Sequence, residues 1–144
     1  PKATVLAAFA ALANLPESRV ARCSSLYRTA PVGILSQPDF VNAVALLETT
    51  LAPEALLDAL LDIEARFGRI RRERNGPRTL DLDLLLYDDI ELDLPRLTLP
   101  HPRLHLRAFV LLPLAEVAPD LAIPRRGSVA AWLPAVANQG IVRL

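Results

Sequence analysis

The residues best suited to chemistry are two aspartates in Thr79-Leu80-Asp81-Leu82-Asp83-Leu84-Leu85. On an extended strand the side chains alternate, so Asp81 and Asp83 share one face, about 6–7 Å apart along the chain. Leu82 and Leu84 then face the other way and can anchor the segment in a core. Two carboxylates so placed can bridge hard cations such as Mg²⁺. A bare Asp-x-Asp more often marks the wet side of a half-exposed strand. Here the neighbours shift the balance, because adjacent acids repel and a metal is the simplest compensation.

Charge around this pair is segregated. Arg66, Arg69, Arg71, Arg72, Arg74 and Arg78 come before it with only Glu73 among them, and Asp88, Asp89, Glu91 and Asp93 follow with no base between. A basic loop feeding an acidic strand suits a metal–polyphosphate complex, with carboxylates for the metal and guanidinium forks for the phosphates. A solvated loop pairing with the acids that follow would give the same pattern. Lys2 is the only lysine among 16 basic residues; arginine's planar fork suits phosphate, and genomic base composition explains the bias equally well. Glu64 falls in the last turn of a predicted helix, where the dipole disfavours an anion; an ion pair with Arg69 is the ordinary alternative. His101 is stiffly held between Pro100 and Pro102. His105 follows and reads as an exposed loop residue, since no HExxH or second cysteine supports a zinc site. Arg107 beside Phe109 could serve a nucleotide or simply open a helix. Neither a P-loop nor a dinucleotide-binding Gly-x-Gly-x-x-Gly is present.

These groups need elements to hold them. Lys2 to Ala13 is predicted helical, stopped by Asn14-Leu15-Pro16. Ser18 to Arg28 and Asp39 to Thr49 are predicted strands around a Thr29 to Pro38 loop, with Asn42 on an otherwise apolar row of Phe40, Val44 and Leu46. Pro53 to Phe67 is the clearest helix, with Pro53 near its first position, a Leu56, Leu60, Ile63 and Phe67 stripe, and Gly68 after it. Gly68 to Arg78 is then a basic loop, Leu80 to Tyr87 a strand, Asp88-Asp89 a turn, and Ile90 to Leu92 a short strand. Pro95 to Arg107 reads as a loop, Phe109 to Val117 as a helix despite Pro113, and Ser128 to Asn138 as a last helix capped by Ser128. The order suggests an α+β sandwich, and the length suits one domain over residues 1–144.

With 52% apolar residues and zero formal net charge, the chain can bury a core and lacks the basic excess of a nucleic-acid binder. No apolar run approaches the ~18 residues that a membrane span needs. Cys23, the only cysteine, excludes an internal disulfide and reads as a small half-buried strand residue; a lone thiol fits a reducing compartment, so the cytoplasm is the default location. The chain opens on Pro1 and contains no Met, which suggests that a natural N-terminal segment is missing.

The segment Arg74 to Leu85 resembles the signature of the hydroxymethyl-dihydropterin pyrophosphokinases. The resemblance continues, in the family's order, through Ser24-Ser25-Leu26-Tyr27-Arg28-Thr29-Ala30-Pro31-Val32-Gly33, Gln37-Pro38-Asp39-Phe40-Val41-Asn42, Leu97-Thr98-Leu99-Pro100-His101-Pro102 and Arg107-Ala108-Phe109-Val110-Leu111. It implies a ferredoxin-like α/β sandwich, an antiparallel sheet with helices packed on it, whose usual first strand is absent here. It implies transfer of pyrophosphate from ATP to the pterin hydroxyl, with two Mg²⁺ ions on Asp81 and Asp83. By the same resemblance Arg69, Arg71 and Arg78 serve the phosphates, Arg69 and Arg78 catalytically. Glu64, Thr98, His101 and Arg107 belong to the ATP site. Phe40 and Phe109 would sandwich the pterin, Asn42 would read its edge, and Thr29, Pro31 and Val32 would complete the pocket. The partners implied are small molecules only, with no nucleic acid, no membrane and a monomeric state. Asn75 and Leu106 depart from the family's usual residues, which touches an aromatic lid contact but not the carboxylates. Two other readings stay open: another two-metal phosphotransferase, which would need no pterin trio of Phe40, Asn42 and Phe109, and a non-enzymatic ferredoxin-like binding module. An inactive fragment of the enzyme is a third.

Overall fold

A computed structural model describes residues 2–29, 40–70 and 80–144, the side chains of residues 69 and 70 excepted. Helix α1 (Lys2–Ala13) is built from strong helix formers. It buries Ala8 and Leu12 and ends at Asn14, whose amide donates to the Ala10 carbonyl at 3.1 Å. Strand β1 (Ser18–Cys23) pairs antiparallel with β4 (Ala45–Thr49). Their register shifts between Val20 and Arg22. An extra residue there resets the side-chain alternation, which is why the sequence pattern is imperfect and why Cys23, expected half-buried, is exposed.

The two long strands expected from the sequence are each broken. Strand β2 (Tyr27–Thr29) pairs with β3 (Phe40–Asn42) in the register Tyr27↔Asn42, Arg28↔Val41 and Thr29↔Phe40. The breaks are at Ser24-Ser25-Leu26 and Ala43-Val44 and lie side by side: Ser24 donates its N–H to the Val44 carbonyl, and its hydroxyl accepts the Val44 N–H, both at 2.8 Å. Backbone groups that leave a ladder need other partners. The Ser25 carbonyl accepts the Ser24 hydroxyl at 2.7 Å, and the Ser25 N–H finds a partner on a helix, described below.

Helix α2 (Pro53–Ile70) buries Leu56, Leu60 and Ile63 and runs past Gly68, beyond the expected stop at Phe67. Residues 80–87 correct a larger expectation: no ladder partner is assigned to them, although a strand was predicted. Single partners take some of their backbone groups instead. The Leu82 N–H goes to the Glu64 carboxylate at 2.5 Å, and the Leu85 carbonyl accepts the His101 N–H at 2.8 Å. After a turn at Asp88 (φ 51°), a left-handed conformation that Asp tolerates, β5 (Leu92–Leu94) pairs with β6 (Leu97–Leu99). The short strand therefore starts later than Ile90, and part of the expected Pro95–Arg107 loop is strand. A 3₁₀ turn over Leu104–Leu106 occupies more of it. Arg96 bonds to Asp58, tying this hairpin to α2.

Helix α3 (Ala108–Val117) holds Pro113 within it. Short strands β7 (Ala122–Ile123) and β8 (Gly127–Ser128) pair next. The last predicted helix is replaced by two 3₁₀ turns, Ala130–Trp132 and Pro134–Val136. Pro134 has no N–H to donate, and the Ala130 carbonyl accepts Leu133 N–H instead. Ser128 still caps, accepting the Ala131 N–H at 3.2 Å. Strand β9 (Val142–Arg143) returns to pair with β2.

The architecture is α+β, of the ferredoxin-like kind, with helices packed on antiparallel strands. Its described residues form two apolar clusters. One joins α1 and α2 to β1 and β4 through Leu12, Leu56, Leu60 and Ile63. The other surrounds α3 through Val44, Leu104, Leu111 and Leu114. Residues 80–87 belong to both: Leu80, Leu82 and Leu84 pack into the first, Leu85 and Leu86 into the second.

Candidate active site

Packing presents the two aspartates without a ladder. Residues 80–84 alternate, with Leu80, Leu82 and Leu84 half-buried against the α1–α2 cluster and Asp81 and Asp83 exposed. The period of two read from the sequence holds, and both carboxylates leave the core on the same side. Glu64, which the sequence placed at a helix end, sits well inside α2. Its carboxylate holds the Leu82 N–H between the two aspartates, so it fixes the backbone that carries them.

His101 stands over this segment. Its N–H is bonded to Leu85, and its Nδ1 accepts the Arg103 N–H at 3.2 Å. An Nδ1 that accepts carries no proton, so the neutral ring keeps its proton on Nε2. Burial pushes the His101 pKa down; nearby Asp83 pulls it up, Arg107 and Arg103 push it down, and the net direction is down. With Nδ1 accepting from Arg103, Nε2 is the His101 ring nitrogen that can donate near Asp83. Arg107, at the N-cap of α3, places its guanidinium carbon 5.3 Å from the Phe109 ring centre, a cation–π distance. Thr98 sits opposite Asp93 in the β5–β6 hairpin, shortly before His101.

A second group of candidates lies on β2 and β3. Thr29 and Phe40 are register partners, and the Asn42 amide donates to the Thr29 hydroxyl at 3.4 Å. Phe40 is 53% exposed, so an aromatic face is open beside a polar pair. Phe109 is half-buried on α3, which packs against β2. Pro31, Val32, Arg71 and Arg78, with the side chain of Arg69, lie outside the described residues, as does most of the basic loop.

The donor set suits a hard cation. Two exposed carboxylates offer oxygen ligands, and Mg²⁺ keeps several waters and shares substrate phosphates rather than needing a full protein cage. Among the described residues no group of three or more His, Cys, Asp or Glu is gathered as a metal cage.

Sequence reasoning missed Glu116. Its carboxylate accepts the Ser25 N–H at 2.9 Å, the Ser25 hydroxyl at 2.9 Å and the Tyr27 hydroxyl at 2.8 Å, with Arg143 at 3.7 Å. Burial raises its pKa, but these donors outweigh burial and the net direction is down. It fastens the strand break ahead of Thr29 to α3. A lone acid in the otherwise apolar run Ala108-Phe109-Val110-Leu111-Leu112-Pro113-Leu114-Ala115-Glu116-Val117 was the available signal. His105, expected exposed, is buried edge-on against Trp132 at 4.7 Å.

In this α+β frame His101 is bonded to the segment that carries the two aspartates and lies close enough to Asp83 and Arg107 to feel their charges. The model of the 7,8-dihydro-6-hydroxymethylpterin-pyrophosphokinase family matches residues 1–119. The 2-amino-4-hydroxy-6-hydroxymethyldihydropteridine pyrophosphokinase of Pseudomonas aeruginosa is 51% identical over 144 residues, covering 100% of this chain and 89% of that protein. Its namesake from Haemophilus influenzae is 43% identical over 138 residues, 96% of this chain and 86% of that protein. The one from Synechocystis is 52% identical over 120 residues, 83% of this chain and 61% of that protein. The chain belongs to the 7,8-dihydro-6-hydroxymethylpterin-pyrophosphokinase family.

Proposed function

We infer that the chain is an ATP-dependent diphosphotransferase of folate biosynthesis. It transfers pyrophosphate from ATP to 6-hydroxymethyl-7,8-dihydropterin, giving AMP and the dihydropterin pyrophosphate. Membership of the family carries this reading, and the paired exposure of Asp81 and Asp83 supports placing the reaction beside them. The pterin hydroxyl oxygen bonds to the β-phosphorus, the bond from that phosphorus to the α–β bridging oxygen breaks, AMP leaves with that oxygen, and the hydroxyl proton is released.

Asp81 and Asp83 would hold Mg²⁺, two ions in this proposal. Bound there, the metal supplies charge neutralisation to the triphosphate and orientation to the reacting oxygens. The protein's own work is to position and to neutralise. Glu64 fixes the backbone under the carboxylates, and His101 offers a neutral donor to the nucleotide. Arg107 offers a guanidinium, and Thr98 lines the same side. Arg69, Arg71 and Arg78 are proposed to meet the phosphates, Arg69 and Arg78 in the reacting state. For the pterin, Phe40 and Phe109 supply ring faces, Asn42 reads the polar edge beside Thr29, and Pro31 and Val32 close the pocket. A buried heterocycle needs such a partner, since an unmatched buried amide costs about 1–3 kcal/mol. We further propose that residues 1–144 act as one domain and as a monomer in the cytoplasm, without nucleic acid. No described helix is long and apolar enough to cross a membrane.

Calorimetric titration with a non-hydrolysable ATP analogue tests this reading. Nucleotide binding should require Mg²⁺ and should strengthen pterin binding. A folded chain that binds neither ligand overturns it.

A further inference from the structure

Arg107 is the one described arginine placed both beside His101 and over Phe109, and its backbone is fixed from a distant part of the chain. Gln139 lies outside residues 1–119, the stretch matched by the family. Its side-chain Oε1 accepts the Ala108 N–H at 2.9 Å, and its Nε2 donates to the Leu106 carbonyl at 2.9 Å. One amide thus takes the two backbone groups that flank Arg107, as a neighbouring strand would. The Ala108 N–H is one of the first-turn donors that a helix leaves without an internal partner, and Arg107 makes no side-chain cap of its own. The Arg107 carbonyl is used as well, accepting the Val110 and Leu111 N–H groups at 3.1 and 2.9 Å. Gln139 is itself tied back, its N–H bonded to the Val136 carbonyl at 3.1 Å.

With these groups engaged, Arg107 is held extended (φ −120°, ψ 117°) between a 3₁₀ turn and a helix, a junction where small changes in ψ swing a long side chain widely. We propose that Gln139 is a positioning residue: its amide clamps Leu106 and Ala108 and thereby aims the Arg107 guanidinium at the nucleotide. The proposal rests on the reading of Arg107 as an ATP-site residue. It makes the C-terminal segment part of nucleotide recognition.

The test is a double-mutant cycle on affinity for the ATP analogue with Mg²⁺, read together with KM for ATP and for the pterin. Gln139→Met keeps the length and removes both bonds; losing them should weaken ATP binding about fivefold to tenfold. KM for the pterin should stay within about twofold, a change too small to reflect a lost hydrogen bond. In an Arg107→Ala background the same change should have no further effect on ATP, because coupled residues do not add. Gln139→Glu keeps the acceptor for Ala108 and puts a favourable charge at a helix N-terminus, so it should hold the melting temperature and still lose ATP affinity. If Arg107→Ala weakens ATP but Gln139→Met does not, or if the two penalties add, the clamp is refuted while the role of Arg107 stands. If Arg107→Ala leaves ATP binding unchanged, the reading of Arg107 fails and the clamp with it.

Discussion

Residues 80–87 and the β2–β3 pair both carry residues of the candidate site, yet they are held in opposite ways. The first makes no ladder among the described residues; its leucines reach into two apolar clusters, and Glu64 and His101 each take one backbone group. The second is laddered on both sides of β2, by β3 and β9, and is pinned through Ser25 and Tyr27 to the Glu116 carboxylate. Packing is indifferent to what the outward face carries, so the first arrangement can present two repelling carboxylates. Hydrogen bonds fix direction, so the second can set Asn42 and Thr29 at one distance. The side proposed for the metal is thus organised by burial and the side proposed for the pterin by polar partners, and each should fail in its own manner.

The largest expected effect comes from the outward face of the first region. Asp81→Ala with Asp83→Ala should lower turnover by a factor on the order of 10³ or more, while thermal unfolding stays close to wild type because both side chains are exposed. A fall in melting temperature matching the loss of activity would break the comparison. Next is Glu116→Ala, which orphans the Ser25 N–H and the Tyr27 hydroxyl; we expect a loss of about 3 kcal/mol in chemical denaturation and weaker pterin binding. Unchanged stability there would mean that the pin is idle. Leu84→Ala, on the packed face, should cost about 1–2 kcal/mol and lower metal-dependent turnover through the displaced aspartates.

The smallest effect is the dependence on acid. The folded-state pKa of Glu116 is lowered, so the unfolded chain binds its proton more readily. Its contribution is therefore complete above the unfolded value of about 4.3 and fades as pH falls through the lowered folded value. Denaturation curves between neutral pH and acid should show this loss, and Glu116→Gln should flatten it.

Much of this was legible in the residues, for identifiable reasons. Helix α1 ends at Ala13 as read, because composition and Pro16 act locally. The outward pairing of Asp81 and Asp83 follows from alternation alone, and the bond from Asn42 to Thr29 is a partner that the residue's polar place on an apolar row did not name. What failed depends on distant partners. Glu64 and His101 replace the ladder of residues 80–87 from two other elements, and Glu116 interrupts a strand far away in sequence. Trp132 buries His105 in the same remote way. The Gln139 clamp left no trace in spacing or composition, since a glutamine in a C-terminal turn ordinarily faces water.

The most direct measurement of the central claim is the nucleotide product. The chain would be incubated with Mg²⁺, ATP and 6-hydroxymethyl-7,8-dihydropterin, and the phosphorus species followed with time. Attack at the β-phosphorus predicts one AMP for each pterin pyrophosphate formed, with no ADP, and product formation from the Asp81→Ala, Asp83→Ala chain slower by a factor on the order of 10³ or more. Accumulation of ADP with a pterin monophosphate, or AMP formed equally without the pterin, would contradict it.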